Sequence, residues 1–165
     1  MKDLSVFNEK KDMEKNVGTL RRVSGHTYDT LYDLLFTTRR VIALIIRHPL
    51  DIPNDFGVAN LFFGGRLFKR HELPDRIKIA EDRRAQYKEE HFDNLVSQHR
   101  FNFEIPYNKV RSVAMTQGLL RSKLKFRVSG PSNAFYNIKF TFSKKQDREA
   151  RDLLKQVLSS KMEGS

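Results

Sequence analysis

The sequence predicts an α+β fold, a partly open antiparallel β-barrel of about seven strands with a helical insertion and a C-terminal capping helix. Three observations lead to this prediction. Segments rich in β-branched and aromatic residues occupy residues 17–47 and 101–142, as in strands. The segment between them is rich in charged helix formers, and the end of the chain has apolar residues at helical spacing. A length of 165 residues suits a single domain.

Three strands are predicted before the insertion. They are VGTLRRVS (17–24), DTLYDLLF (29–36) and VIALIIR (41–47). The third is apolar at consecutive positions, which is typical of a strand buried on both faces. The polar stretch TTRR (37–40) separates the second strand from the third, so we expect these two strands to form a hairpin.

The insertion is predicted to span residues 48–100. It begins with a loop (48–56) and continues through FGVANLFFGGRLFKR (56–70), which combines aromatic residues, a Gly-Gly pair and a basic end. Residues 75–99 contain no Gly or Pro and are rich in charged residues, so we expect one long helix there. Its partial apolar stripe consists of Tyr87, Phe92, Leu95 and Val96.

Strand periodicity returns after the insertion. The predicted strands are FNFEI (101–105), KVRSVAM (109–115), LLRSKLKFRV (119–128) and AFYNIKFTF (134–142), with turns between the last three. The last strand has four large apolar residues at alternate positions, which we expect to face the core. These residues are Tyr136, Ile138, Phe140 and Phe142.

A closing helix is predicted after Ser143, because Ser143 and Gln146 form the S-x-x-Q pattern of a capping box. One face of this helix is apolar, so we expect it to cover the open end of a bent sheet. The apolar residues are Ala150, Leu153, Leu154, Val157 and Leu158. The chain would then comprise a charged N-terminal arm (1–16), one domain (17–161) and a short tail (162–165).

Three stretches resemble the prokaryotic pleckstrin-homology-like (bacterial PH-type) domain family. LLFTTRRVIAL (34–44) is similar to the second and third strands of that family. FNFEIPYNKVRSVAMTQGLLRSKLKFRVSG (101–130) and YNIKFTFSKKQDREARDLLKQVL (136–158) are similar to its second half. The resemblance implies a scaffold that binds lipids, peptides or proteins, often with an insertion apolar enough to contact membranes. The charged helix expected at 75–99 departs from that pattern.

The sequence lacks the motifs of several chemistries. It contains no cysteine, which excludes disulfides, cysteine metal sites and a thiol nucleophile. Its histidines lack H-x-x-x-H and H-E-x-x-H spacing, Gly64-Gly65 lacks the spacing of a phosphate loop, and no G-x-S-x-G element occurs. The longest apolar run, VIALII (41–46), is far shorter than the roughly 20 residues of a membrane span. We therefore expect a cytoplasmic, non-enzymatic binding protein without metal or cofactor.

A row of cations marks the candidate site. In RSKLKFR (121–127), alternate residues are basic and would share one face of a strand, about 7 Å apart. From residue 101 onward there are 13 Lys and Arg against 5 Asp and Glu, a net charge of +8 out of +11 for the chain. The candidate polyanion contacts are Arg121, Lys123, Lys125, Arg127 and Lys139, with Lys144, Lys145 and Arg148 at the rim. An ordinary solvated strand face is the alternative interpretation.

The first hypothesis is that these cations bind a large polyanion, namely RNA or a ribonucleoprotein such as the ribosome. The second is a peripheral membrane adaptor, in which the cations meet anionic lipid and aromatic residues of the insertion enter the interface. The third is a protein-interaction module or homodimer built on the insertion. The insertion residues expected at a membrane or protein interface are Phe56, Phe62, Phe63, Arg66, Phe68, Lys69 and Arg70.

Overall fold

The fold comes from a computed structural model, which describes residues 14–25, 30–48, 73–88 and 91–163. The strands are β1 (Asn16–Ser24), β2 (Leu31–Thr37), β3 (Arg40–Arg47), β4 (Phe103–Pro106), β5 (Val110–Gln117), β6 (Arg121–Ser129) and β7 (Phe135–Ser143). The helices are α1 (Leu73–Lys88), α2 (Phe92–Leu95) and α3 (Asp147–Leu158). Each strand lies within about two residues of its predicted bounds.

The strands form one antiparallel sheet in the order β4-β3-β2-β1-β7-β6-β5. β1 pairs with β2 along its length and with β7 where Ser24 faces Thr141. β4 and β5 stand at opposite ends of this order, yet only residues 107–109 join them along the chain. The sheet must therefore bend back on itself. This architecture confirms the predicted barrel-like α+β fold of seven antiparallel strands and a C-terminal helix.

The main core lies on the inner face of the bent sheet. Its largest fully buried side chains include Leu20, Leu34, Phe36, Ile45, Leu124, Phe126 and Phe140. α3 packs against this core through its apolar face, where Ala150 and Leu154 are fully buried. The helix contacts β1 and β2. The spacing of apolar residues in the sequence predicts this packing correctly.

Two details near the ends of β7 differ from the sequence predictions. Tyr136, expected in the core, is 49% exposed, and its ring lies beside Gly130 in the β6–β7 turn. At the other end, the Ser143 hydroxyl accepts a hydrogen bond from the following turn at 3.4 Å. Gln146 donates to the carbonyl of Arg21 instead of returning to Ser143. The predicted capping box is therefore half formed, and a short 3-10 turn precedes α3.

A β-bulge in β1 brings Leu20 and Val23 into the same core. The residue within it, Arg22, has a left-handed backbone conformation with φ of 56°, which is uncommon for a residue other than glycine. Its N–H donates to the Asp33 carboxylate at 2.9 Å, and Arg84 of α1 donates to the same carboxylate at 2.7 Å. The hydrogen bond to Asp33 is the main cause of the raised pKa of Arg84. Asp33 therefore fixes both the bulge and the position of α1.

Arg40, at the β2–β3 hairpin, joins three other parts of the chain. Its guanidinium contacts Glu14 before β1 at 2.8 Å, Asp93 of α2 at 2.6 Å, and Glu104 of β4. The hydrogen bond to Glu14 is the main cause of the raised pKa of Arg40. The hairpin itself is confirmed, and the Thr37 hydroxyl accepts a hydrogen bond from the N–H of Arg40 at 3.1 Å.

β2 and β3 are buried on both faces, and the insertion covers their outer face. Tyr87 of α1 and Leu95 of α2 pack there against a second apolar cluster. The strand residues in this cluster are Leu35, Ile42, Leu44 and Ile46. The prediction of one helix over 75–99 is wrong, because His91 is extended, with ψ of 144°, and separates α1 from α2. The break lets both helices place an apolar residue on the sheet.

Asn102 is a buried polar link between this outer layer and β3. Its Oδ1 accepts hydrogen bonds from the N–H of Ile45 at 2.8 Å and the hydroxyl of Tyr87 at 3.3 Å. Its Nδ2 donates to the carbonyl of Leu95 at 2.7 Å. A buried polar group left without a partner costs roughly 1–3 kcal/mol. One side chain thus satisfies polar groups of three different segments.

We expect Asn102→Ala to lower the free energy of unfolding by about 2–4 kcal/mol, because the N–H of Ile45 and the carbonyl of Leu95 lose their partner. Urea denaturation followed by circular dichroism measures the change. Asn108→Ala, at an exposed position nearby in the chain, is the matched control and should change stability by less than about 0.5 kcal/mol. Equal stability of the two variants would contradict the role given to Asn102.

Candidate polyanion-binding face

β6 separates its apolar residues from its charged residues, as its alternation predicts. The inward residues Ser122, Leu124, Phe126 and Val128 are at most 1% exposed. Among the outward residues, Arg121, Lys123 and Arg127 are exposed and Lys125 is half-buried. We define the basic face as Arg121, Lys123, Lys125, Arg127 and Lys139.

The neighbouring strands surround these cations with small neutral side chains. In the register of the sheet, Lys123 faces Thr141 and Arg127 faces Asn137 on β7. The β5 residues opposite the same stretch of β6 are Ser112, Ala114 and Thr116. At these outward register positions of β5, β6 and β7 the structure places no carboxylate. One carboxylate reaches this face from outside these strands, because Glu163 accepts a hydrogen bond from Ser112, the partner of Arg127, at 2.5 Å.

Lys125 lies directly opposite Lys139 on the neighbouring strand. Side chains in such cross-strand pairs start about 5 Å apart, and like charges in that position are destabilising. Within residues 14–25, 30–48, 73–88 and 91–163, none of the five cations of the basic face forms an ion pair. The same chain supplies carboxylates to Arg40 and Arg84. The basic face is therefore a concentrated positive surface held in place by the sheet.

The predicted rim residues Lys144, Lys145 and Arg148 are exposed and follow the end of β7. The N–H of Lys144 donates to the carbonyl of Leu120 at 3.4 Å, so the rim adjoins the β5–β6 turn. Arg148 lies 4.0 Å from Asp152, a contact that partly neutralises it. Lys144 and Lys145 thus extend the positive surface toward that turn more effectively than Arg148 does.

Two exposed leucines form the tip of the β5–β6 hairpin. Leu119 is 90% exposed and Leu120 is 80% exposed. The sequence predicts both in a strand (119–128), but β6 begins only at Arg121. The N–H of Gly118 donates a hydrogen bond to the carbonyl oxygen of Arg121 at 2.9 Å. A Cβ atom at position 118 would lie only 2.5 Å from that oxygen, so the turn requires glycine. We call Leu119 and Leu120 the leucine tip.

Phe135 is a further exposed apolar residue, and it is not among the residues that the sequence predicts at the site. It is 50% exposed and lies at the opposite end of the basic face from the leucine tip. The Cζ of Arg127 lies 4.9 Å from the centre of its ring, and the Cζ of Arg111 lies 5.8 Å away. Strand parity could have revealed it, because Phe135 has the same parity as Lys139 in β7.

The insertion candidates lie outside the described residues. They are Phe56, Phe62, Phe63, Arg66, Phe68, Lys69 and Arg70. Among the residues that the structure does describe, no helix is both long and apolar enough to cross a membrane. That part of the chain also contains no cluster of three or more His, Asp and Glu side chains placed to hold a metal ion. The candidate residues that the structure does describe are those of the basic face and its rim.

Comparisons of the chain with protein-family models, with curated proteins and with solved structures find no match. Evidence for a function therefore lies in the geometry and charge of the basic face.

We expect Lys139→Glu to raise the free energy of unfolding by roughly 0.5–1 kcal/mol at low salt, because an opposite-charge pair with Lys125 replaces a like-charge pair. The gain should shrink in 1 M salt, where the screening length falls to about 3 Å. Urea denaturation at both salt concentrations tests this. Lys78→Glu makes the same charge change at an exposed position of α1 and should show no such gain. A loss of stability, or a gain unaffected by salt, would contradict the repulsion described here.

Proposed function

We propose that the chain is a non-enzymatic, pleckstrin-homology-like module that binds RNA or a ribonucleoprotein, such as the ribosome, through the basic face. The observation that carries this proposal is the opposed pair Lys125 and Lys139, on a face whose other outward positions in β5, β6 and β7 are neutral or basic. Folding brings these charges together at a cost, and a bound polyanion would offset that cost. The seven antiparallel strands and the C-terminal helix support the pleckstrin-homology-like part of the proposal.

The arrangement of the cations suits a nucleic-acid backbone. They repeat about every 7 Å along β6, and the step to β7 is about 5 Å. A chain of phosphates presents charges at comparable spacing, and each cation that neutralises a phosphate releases a counterion. Three of the five cations are lysines, which act as point charges and lack the rigid fork with which arginine reads base edges. We therefore expect backbone recognition with little sequence preference.

The triple variant Arg121→Glu/Lys123→Glu/Lys125→Glu should lose at least about 100-fold in RNA affinity, taking roughly 1 kcal/mol for each cation near an anionic surface. Fluorescence anisotropy with labelled RNA measures the affinity. For the unchanged chain, five contacts predict a slope of about −4 in a plot of log affinity against log salt concentration.

The matched control for this variant is Lys15→Glu/Lys78→Glu/Lys155→Glu, which makes the same charge change at exposed positions outside the basic face. This control should keep most of the affinity. If the two triple variants lose affinity equally, the chain responds to net charge alone. A specific role for the basic face would then be wrong.

The leucine tip favours a second candidate function, binding to an anionic membrane. Leu119 and Leu120 project from a turn that Arg121, Lys144 and Lys145 flank. Adjacent exposed apolar residues beside cations are typical of surfaces that enter the lipid interface. In this candidate the leucine tip takes the place expected for the phenylalanines of the insertion, and the cations nearest to it contact the headgroups.

Leu119→Ser/Leu120→Ser tests the membrane candidate. If it is correct, the variant should lose most of its binding to vesicles that contain anionic lipid, because apolar area no longer enters the interface. Vesicle sedimentation measures this, with neutral vesicles as the control for charge. RNA affinity should remain within about twofold of the original value. If the variant still binds the vesicles, the leucine tip does not enter the lipid interface.

A further inference from the structure

We infer that Phe135 and its two neighbouring guanidinium groups form a stacking platform for an unpaired base, so that the RNA bound by the basic face is single-stranded. This inference rests on the proposed function and adds the class of nucleic acid to it. It concerns the end of the basic face farthest from the leucine tip. It rests on contacts between guanidinium groups and an aromatic ring, which a surface that binds by charge alone would not need.

The first observation is the position of the Phe135 ring. Half of this large apolar side chain stays in solvent, although burying a phenylalanine is strongly favourable. In the register of the sheet, Phe135 faces Ser129 of β6. It therefore shares a sheet face with Arg127 and Lys139. The ring is presented on the surface that carries the cations.

The second observation is the pair of guanidinium groups beside the ring. Arg127 and Arg111 both lie within the roughly 6 Å at which a cation interacts with an aromatic ring. The Nε of Arg111 also donates to the Ser129 hydroxyl at 2.9 Å, which holds its side chain over the sheet. Aromatic rings and guanidinium planes are the surfaces on which proteins stack unpaired RNA bases. The same guanidinium groups can bind the neighbouring phosphates.

This combination distinguishes single strands from duplexes. A base inside a duplex is already stacked on both sides and cannot reach a ring on a flat sheet face. An aromatic ring at the end of a cationic face is instead the arrangement that binds single strands with little sequence preference. Phe135 also lies about 30 Å from the leucine tip along β6, since it pairs with Ser129, nine residues after Leu120. A membrane that meets the tip would therefore leave Phe135 free.

The absence of tryptophan from the sequence allows a direct test. Phe135→Trp places one fluorophore in the platform, and we expect short single-stranded RNA to quench its emission by stacking. An RNA duplex of the same length, and heparin as a polyanion without bases, should bind without this quenching. Tyr136→Trp is the matched control, because Tyr136 is 49% exposed but lies on the other side of the same strand. Its emission should not change.

Phe135→Ala completes the test in the full-length chain. Loss of one stacked base should weaken single-strand binding by about 5- to 100-fold and leave heparin binding unchanged. If RNA binds but neither quenching at position 135 nor this loss is seen, the platform is wrong and the proposed function stands. If the original chain binds no RNA at low salt, the platform and the proposed function both fail.

Discussion

β2 and β3 are buried on both faces, and the consecutive apolar residues of β3 are the reason that much of the structure is arranged around them. Their outer face must be removed from water, and the insertion does this with α1 and α2, which contribute Tyr87 and Leu95. β6 is apolar on its inner face alone, so its outer face needs no such cover. One continuous sheet therefore has a half that is covered on both sides and a half whose outer side is polar and basic.

The cations of the two halves differ in their partners. On the covered half, Arg40 contacts three carboxylates and Arg84 is bound to the buried Asp33. Those cations join segments of the chain to one another. On the other half, Lys125 faces Lys139, and within the described residues neither has an acidic partner. The arginines of the covered half stabilise the fold. In the proposed function, the lysines of the other half bind a partner outside the chain.

The strands and α3 could be predicted from the sequence because their apolar residues repeat locally. Features that depend on tertiary contacts could not. The break at His91 follows from the need of both helices to contact β3. Leu119 is exposed because the turn at Gly118 extends to Arg121. The alternation of apolar and polar residues does not show where that turn ends. Parity in the sequence assigns Phe135 to the face of Lys139, but the position of Arg111 at its ring depends on the pairing of three strands.

Most of the basic face could be predicted from the sequence, because four of its five residues alternate along one strand. The opposition of Lys125 and Lys139 required the register of β6 and β7, which the turn between them sets. Parity alone suggested that the two residues share a face. The structure adds that they are direct cross-strand partners, and the proposed function rests on this pairing.

The covering layer has a further consequence for the dynamics of the chain. Its apolar cluster is much smaller than the main core, and the polar links that join it to the sheet include those of Asn102, Asp33 and Arg40. Layers with few buried contacts open at lower free energy than the body on which they rest. The amide protons of α1 and α2 should therefore exchange with solvent through a local opening that leaves the barrel folded. The chain would thus behave as two cooperative units of unequal stability within one domain.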